Sequence, residues 1–124
     1  MSLILENNKN FAAYTNQEDL KQIKEYTNVG AMLKNSFEDY ASTVAIIDQN
    51  VNYTYKDIGI NTGFIRSKLH NMGVNPADNV GVLFSNSIEF VEASLAVMSY
   101  GCVAVILPYH LDDKTIYGCS LNFH

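Results

Sequence analysis

The chain has 124 residues, 48% of them hydrophobic, and a formal net charge of −5. That length holds one domain or a part of one, with a real core but no room for two. The acidic balance and the scattered Lys and Arg argue against the basic stripe of a nucleic-acid binder, and no apolar run approaches the roughly 18 residues of a membrane helix.

Residues 1–28 are polar and weakly patterned, and read as an N-terminal extension. Within it "QEDLKQIKEY" can form a short helix with Leu20 and Ile23 on one face. The opening "MSLILENNKN" has no basic leader and a short apolar run, so it is not read as a signal peptide. The two cysteines, Cys102 and Cys119, form no metal-ligand or CxxC spacing. Cys102 sits in an apolar run and reads as a buried, inert thiol. A reduced, cytoplasmic protein is the default expectation.

From Val29 the pattern strengthens. Val29, Met32, Leu33, Phe37 and Tyr40 recur at helical spacing, which predicts an amphipathic helix from Asn28, its N-cap, to about Ala41. "TVAIID" and "VNYTY" flank Gln49-Asn50, a short polar turn, and predict a β-hairpin. Thr54 with Asp57 three residues later is a capping box. The helix it opens carries Ile58, Thr62, Ile65, Leu69 and Met72 on one stripe, and Gly73 closes it. "VNPAD" is a turn.

"NVGVLF" and "CVAVIL" are short apolar strands, the signature of burial in a parallel sheet. The spacing predicts burial of Val80, Val82, Phe84, Val103, Val105 and Leu107. The helix between these strands should start at an Asn86 cap with Glu89 completing the box, and end at Gly101. Ile88, Val91, Leu95 and Met98 form its expected inner stripe. Pro108 stops the second strand. "DDKTIYGCSLNFH" begins a further helix. The fold class is therefore α/β: part of a doubly wound, mainly parallel sheet with flanking helices and one N-terminal hairpin.

Candidate chemistry is sparse. The glycines form neither GxGxxG nor GxxxxGK[ST]. Ser85-Asn86-Ser87 stands at a strand-to-helix turn that can hold an anion, but a plain helix cap is the simpler reading. "LFSNS" lacks the glycines of a nucleophile elbow around Ser85. His70, His110 and His124 read as solvated or capping groups, although His110 follows a strand end, where sites gather in open α/β sheets. Asp112-Asp113 reads as a helix start rather than a metal pair. No catalytic, cofactor-binding or metal residue is assigned.

"STVAIID", "YTYKDI" and "MGVNPADNVGVLFSNSIEFVEASLAVMSYGCVAVIL" together resemble the start of an adenylate-forming (AMP-binding) enzyme, the superfamily of acyl-CoA synthetases, peptide-synthetase adenylation domains and luciferases. The match runs through Thr54-Tyr55-Lys56-Asp57-Ile58, Gly73-Val74, Asp78 with Val80, Asn86-Ser87 with Phe90, and Gly101 with Leu107. It covers residues 29–124, which would be the N-terminal part of that family's large domain. Three positions depart from the pattern. Ala77 stands where the family has Gly, so that turn is expected to manage without φ > 0. Tyr100 replaces a small residue, and Ile106 takes a usual Pro position.

The resemblance implies an ATP-dependent ligase that joins a carboxylate to AMP and then transfers the acyl group to a thiol. ATP, Mg²⁺ and coenzyme A or a phosphopantetheine carrier would serve the full-length enzyme. The family's phosphate loop and catalytic lysine fall beyond the matched segment, so the chain reads as a truncated scaffold fragment, inactive alone. It would associate with itself or with the missing remainder. Two other readings stay open: a stand-alone α/β binding or interaction module, and a small flavodoxin-like nucleotide binder.

Overall fold

The computed structural model describes residues 24–110 together with Glu18, Asp112 and Lys114. Leu20, Ile23, Asp113, Cys119 and His124, with the expectations resting on them, lie outside the described residues. The elements run α1 (Val29–Asp39), β1 (Val44–Asp48), β2 (Val51–Thr54), α2 (Tyr55–Asn71), β3 (Asn79–Leu83), α3 (Ile88–Ser99) and β4 (Val103–Leu107). β1 and β2 form an antiparallel hairpin, and β3 pairs with β4 in parallel, from Asn79↔Val103 to Leu83↔Leu107. The α/β expectation holds, with one hairpin and a parallel pair linked through a helix.

Local chemistry explains the boundaries. Asn28 caps α1, its Oδ1 accepting from the Ala31 N–H at 2.8 Å. Gln49 and Asn50 both take positive φ, 47° and 65°. A two-residue hairpin loop of that kind matches the twist of its strands. Thr54 and Asp57 form the expected capping box on α2. Hydrogen bonds to Thr54 hold the Asp57 carboxyl below the usual range.

Both later helices end alike. At the end of α2 the Gly73 N–H donates to His70 O and the Val74 N–H to Leu69 O, each at 3.0 Å. At the end of α3 the Gly101 N–H donates to Met98 O and the Cys102 N–H to Val97 O, each at 3.1 Å. Each pair is a Schellman motif, with the glycine left-handed at φ 82° and 91°. Leu69, Val97 and Cys102 belong to the core, with Val74 packed against it, so each stop signal also anchors the next segment.

That core comprises Leu69, Val82, Val97 and Cys102, with Ile65, Val80, Phe90 and Ala104 packed around it. It lies between the β3–β4 pair and the helices α2 and α3. Several stripe residues depart from expectation. Val82 is buried and Val80, Val105 and Leu107 are half-buried, but Phe84 and Val103 are 45% and 52% exposed. Among the described residues, helices cover one face of the strand pair, and the period of two turns Val103 and Leu83 to the other.

On α3 the buried residues are Ile88, Glu92, Ser94, Ala96 and Val97, whereas Met98 is exposed. The helix packs against α2 as well as the sheet, so its inner surface is wider than one stripe and rotated from the predicted one. Met72, the C-cap of α2, is largely exposed because the chain turns there toward Gly73, and Met32 of α1 and its C-cap Tyr40 also face outward. Phe37 stays in: a Cβ on Gly59 would lie 3.0 Å from its Cγ, so the glycine lets the ring sit on the α2 backbone.

Candidate functional site

The carboxyl ends of β3 and β4 open onto a cleft of ≈ 560 Å³. Crevices in this position collect ligands in open α/β sheets. One wall is Phe84, Ser85 and Asn86, the link from β3 to α3. The other is Pro108, Tyr109 and His110, the exit from β4, with Phe90 of the first turn of α3 between them. The Tyr109 and His110 rings meet edge to face at 5.7 Å. His110 is the one ionisable side chain other than tyrosine among the described lining residues.

The helix terminus beside this cleft is already supplied with acceptors. The cap is Ser87, with φ −163° and ψ 170°, not Asn86 as the sequence suggested. Ser87 Oγ accepts from the Phe90 N–H at 3.3 Å and donates to Ser85 O at 3.0 Å. Either residue type can cap; the one whose oxygen lies under the third amide does so. The Ile88 N–H donates to Asp48 Oδ2 at 3.0 Å. Asp48 lies 40 residues earlier in the chain, at the end of β1. A carboxylate thus occupies the place at which an anion would bind, and Glu89 adds a second negative charge to the first turn.

Asp48 is the site residue that sequence reasoning missed. It was read as a strand end. No local spacing signals its partner, because the contact depends on how the hairpin packs against α3.

The other candidates resolve as follows. His70 is in the last turn of α2, its Nδ1 3.3 Å from Tyr100 Oη. The Tyr100 hydroxyl donates to Val74 O at 2.9 Å, so at the histidine it is the acceptor. These contacts extend a polar seam in which Asn61 Nδ2 donates to the buried Glu92 Oε1 at 2.7 Å and Arg66 Nη1 donates to Ser99 Oγ at 3.0 Å. Tyr100, where the resemblance expects a small residue, thus ties the end of α3 to the α2–β3 link. Cys102 is buried with Sγ 3.2 Å from Asn75 O, and burial, helped by the charge of Asp78, pushes its thiol pKa up. Among the described residues no three His, Cys, Asp or Glu gather as a metal site, and no helix is long and apolar enough to cross a membrane.

The profile of the family described as AMP-binding enzyme matches residues 33–119. A salicylyl-CoA synthase / salicylate adenylyltransferase from a Streptomyces species is 31% identical over 90 residues, which are 72% of this chain and 16% of that protein. An anthranilate CoA ligase solved with anthranoyl-AMP superposes with a TM-score of 0.72 at 18% identity, over 83% of this chain and 20% of that one. An artificially fused adenylation–PCP di-domain from Klebsiella oxytoca gives 0.74 at 19% identity, over 81% and 19%. The chain spans about a fifth or less of the length of each.

Proposed function

The chain belongs to the AMP-binding enzyme family, and on that premise we propose that it forms scaffold of an ATP-dependent carboxylate-activating ligase rather than its reaction centre. The parent reaction is acyl-adenylate formation followed by transfer to a thiol, on coenzyme A or a carrier protein. The names of the relatives, a salicylate adenylating enzyme and an anthranilate ligase, favour an aromatic acid as substrate. The PCP fused to the Klebsiella oxytoca adenylation domain favours a carrier as one acceptor. A cytoplasmic setting suits this chemistry.

One observation carries the scaffold assignment: two of the amides that open α3, those of Ile88 and Phe90, are already bonded to Asp48 and Ser87. The residues at this helix terminus and cleft do not fit ATP phosphates or Mg²⁺. Preorganised donors must face the charge that develops as pyrophosphate leaves, and here the nearest donors face carboxylate and serine oxygens. The described cleft wall adds His110 but no Lys or Arg. In this reading ATP and Mg²⁺ are held by other parts of the enzyme. What these residues do is structural: α2 and α3 bury the inner face of the β3–β4 pair and fix the crevice at its end.

Carboxylate-dependent pyrophosphate exchange into ATP tests the proposal. The purified chain is assayed with salicylate, anthranilate, fatty acids and amino acids. Exchange equal to a no-protein control is expected with every acid. Exchange above control, abolished by a substitution at Ser85 or His110, would place the reaction in this cleft and overturn the assignment.

A further inference from the structure

We draw no further inference here: the strongest candidate, the exposed apolar surface patch that Ile60 and Phe64 of α2 form with its C-cap Met72, carries nothing because nothing in the structure shows what covers it.

Discussion

Replacing Ala77 by glycine should stabilise this protein, although it removes a methyl group. Asn75-Pro76-Ala77-Asp78 is a β-turn closed by the Asp78 N–H donating to Asn75 O at 3.1 Å. Pro76 occupies its second position and Ala77 its third, with φ +73°. That is a type II turn, whose third residue is ordinarily glycine. A left-handed L-residue costs about 1–2 kcal/mol. Glycine gives back about 0.4–1 kcal/mol through the extra freedom of the unfolded chain. The Ala77 side chain is exposed, and its N–H bond to Gly101 O at 2.8 Å survives the change. The net gain is about 0.5–1 kcal/mol, or roughly 2–8 °C in Tm for an ordered region of this size. Urea denaturation reads it as a higher midpoint at unchanged slope. The sign decides the matter. Were Ala77 at negative φ, glycine would cost about 0.5–1 kcal/mol, so a lowered midpoint refutes the turn assignment.

Three further outcomes are expected. Ser87→Ala should cost about 1 kcal/mol by removing the cap of α3, whereas Asn86→Ala should move the urea midpoint by less than half of that. Asp57 is held below its usual pKa, so its contribution is present above the unfolded value near 3.8 and is lost as pH falls through the folded value; Asp57→Asn should flatten the stability–pH curve on that acid limb. The face of the strand pair that no described helix covers, with Val103 52% and Leu83 38% exposed, should drive self-association, read by light scattering as a mass that rises with micromolar concentration and falls in Val103→Lys.

The sequence was most legible where structure is local. Asn28, the Gln49-Asn50 turn, the Thr54–Asp57 box, Gly73 and Gly101 each act within a few residues, and each does what its spacing predicted. Legibility failed where a third element decides. The inner face of α3 includes Glu92 because α2 presents Asn61 to it, and apolar periodicity cannot report a polar pair. The cap moved from Asn86 to Ser87 because both residue types are competent and only backbone geometry chooses. Ala77 was expected to avoid positive φ, yet it adopts it. Pro76 fixes the turn's entry, and the Ala77–Gly101 bond holds its exit. The missing phosphate motifs were visible at once, but that Asp48 fills the helix terminus was not.

The Asp48–Ile88 bond has a consequence for how the molecule opens. A two-stranded hairpin is marginal in water by itself, so β1 and β2 persist through what they lean on. Asp48 joins the hairpin's turn end to the first amide of a helix 40 residues away. First-turn amides ordinarily exchange with solvent as a helix frays, independently of distant segments. Here exchange at Ile88 requires Asp48 to withdraw. That single proton therefore reports hairpin detachment, and its protection should follow the hairpin's amides rather than those of its own helix.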